Sequence, residues 1–207
     1  MAAKLPRPPA SLAGLAPEWR AVPAGTALFR VYFRASLHPT TWYGFRFFGP
    51  VNARFDHHEE PPHLQGRGIL YVAAHPRAAL AETFQAARLI DVRTDEPWLV
   101  GFRLAEPLRL LDLLSLWPTR AGASAALNSG PRPTARQWAR AIYTGYPEAQ
   151  GLWYGSSMAA NTPCAALFER AAATLPAAPA FHHALADAPL EGFLVRTAAE
   201  LGYRLAL

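Results

Sequence analysis

Four polar side chains stand in sequence surroundings that are otherwise apolar or small. Arg30 lies in the middle of Ala27–Phe33, between Leu28-Phe29 and Val31-Tyr32. A charge in such a strand either points to solvent or is held in a cleft, where a guanidinium binds anions through paired hydrogen bonds. Glu82 interrupts an alanine-rich helical stretch that includes Ala78, Ala79, Ala81, Ala86 and Ala87. It is either an exposed helix charge or a buried acid with a function. Tyr71 lies in the apolar run Ile69–Ala73, and Ser156 follows Gly151-Leu152-Trp153-Tyr154-Gly155. A core tyrosine and simple turn chemistry are the plain alternatives for these two. A strand ending in a small-residue turn also sets a hydroxyl at the mouth of a sheet.

Common catalytic and nucleotide-binding signatures are missing. The chain has no Gly-x-Gly-x-x-Gly, Walker loop, His-Glu-x-x-His or Gly-x-Ser-x-Gly, which removes most weight from Rossmann, kinase, zincin and hydrolase readings. His57, His58 and His63 sit among Asp56, Glu59 and Glu60, six potential ligands within eight positions. Adjacent histidines in a polar, proline-broken loop are expected to be solvated, and no second cluster completes a site, so no metal is assigned. His182-His183 lies in a low-complexity stretch and carries less weight still. No His–Asp pair is identifiable to activate Ser156, so its expected task is orientation rather than attack.

The elements that position these residues follow from periodicity. Ala27–Phe33 is rich in β-formers and Ile69–Ala73 has the length of a buried strand. His75-Pro76 opens a helix over Arg77–Ala87, with Leu80 and Phe84 on one face. Leu89–Val92, Leu99–Leu104, Gly151–Tyr154, Ala165–Glu169 and a last Tyr203–Leu207 read as strands, whereas Leu108–Leu114 is ambiguous. Thr134–Ile142 reads as a helix capped by Thr134, and Thr197–Leu201 as a helix ended by Gly202. Residues 36–66 and 118–133 read as loops, 172–190 as a surface connector, and Pro17–Arg20 as a short helical turn. Strands outnumber helices in mixed order, which predicts an α+β fold, a β-core flanked by helices.

Length and composition set the outer limits. At 207 residues, 51% apolar and 17% charged, the chain suits one folded core. The organisation expected is a proline-rich extension over 1–25 and one folded domain over 26–207. No apolar run is long enough to span a bilayer, and only Lys4 and Arg7 precede the prolines without a signal core. With Cys164 as the single cysteine, a reducing, cytoplasmic setting is expected. Net charge is +5, carried almost wholly by arginine, which favours acidic partners. A basic nucleic-acid-binding module is a different class of reading, but one lysine and scattered arginines do not make its patch.

In order, Phe29-Arg30-Val31, Arg54-Phe55-Asp56, Gly68 to Ala73, Ala79-Leu80-Ala81-Glu82 and Gly151 to Ser156 resemble the RES domain family, from about Phe29 to Glu169. The segment that in the family usually reads Gly-Gly-Arg-Trp-Asn is Asn52-Ala53-Arg54-Phe55-Asp56 here. The resemblance implies a mixed, twisted β-core related to ADP-ribosyltransferases. It implies a bacterial NAD-degrading toxin, an NAD glycohydrolase or NAD phosphorylase, neutralised by a cognate antitoxin of the Xre-type helix-turn-helix kind, which alone would touch DNA. It puts the family arginine at Arg30, tyrosine at Tyr71, glutamate at Glu82 and serine at Ser156, with Ser157 as a rival because Gly155 stands where the family often has proline. On that reading Arg30 holds the NAD phosphates, helped by Arg46 and Arg54. Tyr71 stacks on the ligand, with Tyr43 or Trp42 as further rings, and Glu82 stabilises the ribose cation as nicotinamide leaves. NAD is the substrate and no other cofactor is implied, with water, inorganic phosphate or a protein as acceptor. In the last case the chain would be an ADP-ribosyltransferase.

Overall fold

The computed structural model describes residues 5–207; Lys4 lies outside the described residues. The alternating apolar segments pair into one mixed sheet of nine of the described strands. Its centre is β2 (Ala27–Phe33), β4 (His63–Ala73) and β6 (Pro97–Arg103), with β8 (Gly151–Gly155) and β9 (Pro163–Phe168) beyond β4. The ambiguous run 108–114 is strand β7 (Leu108–Asp112), which pairs parallel with β8. Every other pairing in this sheet is antiparallel. Strand β5 (Leu89–Asp91) pairs parallel with β11 (Arg204–Ala206) in a separate two-stranded ribbon.

Each face of the large sheet carries its own apolar cluster. One holds Leu28, Tyr32, Leu70, Val72, Val100 and Phe102; the other holds Val31, Ile69, Ala73 and the helices. That split follows from the two-residue period of the strands, with buried side chains on both faces. Helix α1 (Pro76–Thr83) is capped by His75, whose Nδ1 accepts from the Arg77 N–H at 3.2 Å. It buries Ala78, Ala79, Leu80 and Ala81. Helix α4 (Glu191–Leu201) ends on Gly202 in the left-handed region, at φ 64°, where glycine carries no Cβ penalty.

Several segments differ from expectation. Pro17–Arg20 is no helical turn: Trp19–Val22 is strand β1, paired with β7, and the turn lies at Leu12–Gly14. The 36–66 stretch contains strand β3 (Arg46–Gly49), which pairs with an early-starting β4. Helix α1 stops at Thr83, short of Ala87, because the chain turns at Phe84. The 118–133 stretch contains most of the short helix α2 (Trp117–Arg120), with Trp117 fully buried. Helix α3 (Arg132–Gly145) begins two residues before Thr134, which therefore caps nothing. Proline is tolerated in a first turn because its missing N–H has no intrahelical partner there. The connector 172–190 contains strand β10 (Phe181–Ala184) on the edge of β6. His182 locks that strand down, its Nε2 lying 2.5 Å from the Tyr32 hydroxyl.

Candidate functional site

Strands β2 and β4 are neighbours but pair only at Phe29 and Ala73. Beyond that point they part, and a cleft of about 560 Å³ is lined by both. Helix α1 brings Ala79, Glu82 and Thr83 to it, β8 and β9 bring Tyr154 and Cys164, and the 38–46 segment covers it with His38, Thr40 and Arg46. A second compartment of about 260 Å³ adjoins it and shares Tyr71, Glu82, Thr83 and Tyr154. Its further lining includes Arg54, Gln85, Asn128, Arg132 and Ser157. Glu82 is the one carboxylate in either lining among the described residues.

Arg30 projects from β2 and donates from Nη1 to the carbonyls of Trp42 and Gly44 at 3.3 and 3.2 Å, and from Nη2 to Thr40 Oγ1 at 3.3 Å. All three acceptors are neutral, and no carboxylate lies within 4.0 Å among the described residues. Burial lowers its pKa to about 10, offset in part by Tyr32. The group therefore stays charged at neutral pH with no carboxylate partner among the described residues, a setting whose chemistry suits an anion. Arg46 lines the same cleft, but Nη2 is paired with Asp56 Oδ2 at 2.9 Å and Nη1 donates to the Phe48 carbonyl.

Ser156 is fully buried at the end of β8. Its Oγ accepts from the N–H groups of Met158 and Ala159 at 3.1 and 3.0 Å and donates to Glu82 Oε1 at 2.5 Å. With both lone pairs taken, the hydroxyl proton is committed to Glu82. The other carboxylate oxygen, Oε2, receives the Gln85 amide at 3.3 Å. The Gln85 carbonyl in turn accepts from Arg132 Nη2 at 3.0 Å. Each oxygen of Glu82 has a donor, so the carboxylate is fixed in one orientation toward both compartments. Ser157 is exposed and lines only the smaller compartment, so Ser156 is the serine that touches Glu82.

The thiol and the tyrosines of the cleft are held neutral. Burial pushes the Cys164 thiol up to about 12, with the nearby Glu82 carboxylate adding to it. Burial likewise raises Tyr71 and Tyr154. The Tyr71 hydroxyl is buried and makes no hydrogen bond of good geometry.

Arg30, Tyr71 and Glu82 thus line one cleft with Ser156 directly behind Glu82, although they span 126 positions. Arg46 joins them, and Arg54 stands in the smaller compartment, donating to the Gly130 carbonyl at 2.5 Å. Tyr43 is 54% exposed and absent from both linings. Trp42 packs against Phe102 in the core cluster, centroids 5.5 Å apart. The aromatic loop therefore gives the cleft backbone carbonyls rather than these rings. His57 and His58 are not solvated: both are fully buried. His58 Nδ1 lies 2.5 Å from Asp56 Oδ1, while His57 stacks on Tyr143 with Glu169 Oε2 at 3.9 Å. They are buried because Phe55, fully inside the core against Tyr154, draws the loop inward. Among the described residues no group of three His, Cys, Asp or Glu is placed to hold a metal ion. Gln85 and Arg132 escaped sequence reasoning, being 47 positions apart and joined only by the fold.

The family model of the RES domain matches residues 27–188. The chain belongs to the RES domain family. The matched span contains Arg30, Tyr71, Glu82 and Ser156. This RES domain also has the fold of a chain in the crystal structure of the M. tuberculosis MbcT–MbcA toxin–antitoxin complex. The TM-score is 0.52 at 14% identity, covering 79% of this chain and 85% of that one. Among the curated proteins none matches this RES domain. No helix of the described residues is long and apolar enough to cross a membrane.

Proposed function

We propose that this chain consumes NAD by breaking the bond between nicotinamide and its ribose, and that it is a toxin held silent by a cognate antitoxin. The observation that carries the reading is Glu82. It is the one acid of the cleft lining among the described residues, oriented by Ser156, and it shares the cleft with an Arg30 that has no acid partner. Family membership and the likeness to a chain from a toxin–antitoxin complex support it.

The chemistry asks for little more than this set. The nicotinamide ring of NAD is cationic and leaves as a neutral base, taking the electron pair of the breaking C–N bond. Positive charge moves onto the ribose, and a fixed carboxylate beside that carbon lowers the barrier. Glu82 fills that role, and Ser156 and Gln85 spare it the cost of reorienting during the reaction. Arg30 binds the diphosphate through its remaining N–H groups. Tyr71 offers a ring face to the ligand. An acceptor oxygen then forms the new bond to the ribose carbon. Water yields ADP-ribose and a proton; hydrogen phosphate yields the sugar phosphate. With Cys164 protonated and Ser156 held behind Glu82 with its proton donated to that carboxylate, the step is written without a covalent enzyme intermediate.

A toxin that consumes NAD acts in the cytoplasm, and its antitoxin is an acidic-faced partner of the Xre helix-turn-helix type that carries any DNA contact. The test is purified chain mixed with NAD, with and without phosphate, followed by proton NMR. The expected result is free nicotinamide and either ADP-ribose or its 1-phosphate. Label transferred from NAD to a protein, with no depletion of the free pool in its absence, would replace this reading with that of an ADP-ribosyltransferase.

A further inference from the structure

We propose that the C-terminal segment 189–207, which lies past the family match, clamps helix α1 and so sets the position of Glu82, with Tyr203 as its positioning residue. The proposal rests on the reading of Glu82 as the group that stabilises the ribose cation. Helix α1 has eight residues and buries three alanines and one leucine. Two turns of that composition bury little apolar surface and are marginal alone, so tertiary contacts must hold them. The weak point is the end that carries Glu82, where the last carbonyls have no intrahelical N–H to accept from. The Leu80 carbonyl accepts from the Phe84 N–H at 3.0 Å. The next two are met by side chains: the Tyr203 hydroxyl donates to the Ala81 carbonyl at 3.2 Å, and the Gln85 amide to the Glu82 carbonyl at 2.7 Å.

The tail is anchored on both sides of that hydroxyl. Gly202 turns the chain at the end of α4, and the Tyr203 N–H closes the turn on the Ala198 carbonyl at 2.9 Å. The Arg204 N–H then donates to the Arg88 carbonyl at 2.9 Å, where β11 joins β5, the strand that follows α1. Tyr203 is buried between these anchors. Burial raises its pKa, with Arg88 opposing and Glu82 adding, so at neutral pH it is an O–H donor. At the other end of α1, Arg77 pairs with Glu200 at 2.7 Å, but both side chains are exposed and such a pair holds little. Tyr203 is therefore the contact that matters. Ala81 adjoins Glu82 in the chain, so freeing its carbonyl lets the carboxylate drift from the ribose carbon. A drift of about 1 Å at a reacting centre costs on the order of 100-fold in rate.

The test is Tyr203→Phe in the full chain, which keeps the buried ring and deletes the donor. Nicotinamide release should fall about tenfold in kcat, with KM for NAD within about twofold of the parent, because the group displaced acts on the transition state. In a Glu82→Gln background the same change should lower turnover by less than about twofold, since the carboxylate it positions is gone. A merely structural tyrosine would cost the same in both backgrounds. Hydrogen exchange followed by mass spectrometry supplies a readout without turnover. Amides of residues 80–84 should exchange faster in Tyr203→Phe while those of β8 and β9 keep parent protection. Glu200→Gln, which breaks only the exposed pair, should leave kcat and exchange within about twofold. A folded Tyr203→Phe with parent kcat, an equal loss in the Glu82→Gln background, or exchange that rises evenly across the sheet would overturn the proposal. Parent turnover with an unaffected Tyr203→Phe removes the clamp and leaves the NAD reading. A parent chain that releases no nicotinamide removes the NAD reading, and faster exchange confined to 80–84 still supports Tyr203 as the brace of α1.

Discussion

Ser156 and Glu82 are joined by a 2.5 Å hydrogen bond, and the consequences of losing each separate cleanly. Ser156→Ala removes the donor to Glu82 and leaves the Met158 and Ala159 N–H groups without an acceptor. Stability should fall by about 1–3 kcal/mol, read by denaturant unfolding, and turnover should fall while NAD affinity holds. Arg30→Ala should behave the other way, because a phosphate contact exists in the ground state as well. NAD affinity drops, and a variant with unchanged affinity would remove Arg30 from the site. Cys164, held up to about 12, should resist alkylation at pH 8 until the chain is unfolded, since the thiolate is the nucleophile. Mass spectrometry after iodoacetamide treatment measures this, and rapid native labelling would contradict it. Arg30, Tyr71 and Glu82 were legible because each is a polar break in an apolar run. Tyr43 and Trp42 were not, because a loop has no period to say which way a ring points.

At the scale of elements, the junction of β3, β4, β9 and α3 makes the fold acid-sensitive. Burial alone would raise the Glu169 pKa. His57, the Tyr143 hydroxyl at 2.6 Å and the Gly68 N–H at 2.8 Å outweigh it and hold Glu169 down to about 2. A carboxylate lowered on folding stabilises the protein above its unfolded value of 4.5, and that contribution is lost as pH falls toward 2. Burial also lowers His57 below its ordinary 6.5, so the unfolded chain takes up a proton that the folded one refuses. The melting temperature should therefore decline as pH drops below about 6.5 and decline further below about 4.5. In Glu169→Gln the lower step should shrink, and a pH-independent melting temperature in the parent would refute the account. Nearby, Gly151 must stay glycine: an added Cβ would lie 2.4 Å from the Ala166 carbonyl. Gly151→Ala should cost about 1–3 kcal/mol and loosen the β8–β9 pair that presents Ser156. The long strands and α1 were readable from period and capping. Strands β1 and β10 were not, because each is a four-residue edge strand hidden by proline- or alanine-rich neighbours.

At the scale of the molecule, two features meet. The sheet splits between β2 and β4, and the split holds the site. The surface is basic, with net charge +5, which favours an acidic partner over the cleft mouth. An antitoxin that covers it should abolish NAD consumption at saturation and bind more weakly as salt rises; a saturated complex with full activity would contradict that. The sheet's split could not be read from the sequence, since both strands look continuous and only their register shows where pairing stops. The central claim is that Glu82 stabilises charge appearing on the ribose only as the nicotinamide bond breaks. Nicotinamide release by the parent and by Glu82→Gln, at saturating NAD, tests it most directly. The substitution keeps size and one hydrogen-bonding oxygen and deletes the charge. The account predicts a folded variant that binds NAD nearly as well and turns over about two to three decades more slowly, near 3–4 kcal/mol of lost transition-state stabilisation. A folded Glu82→Gln chain that releases nicotinamide at the parent rate would contradict it.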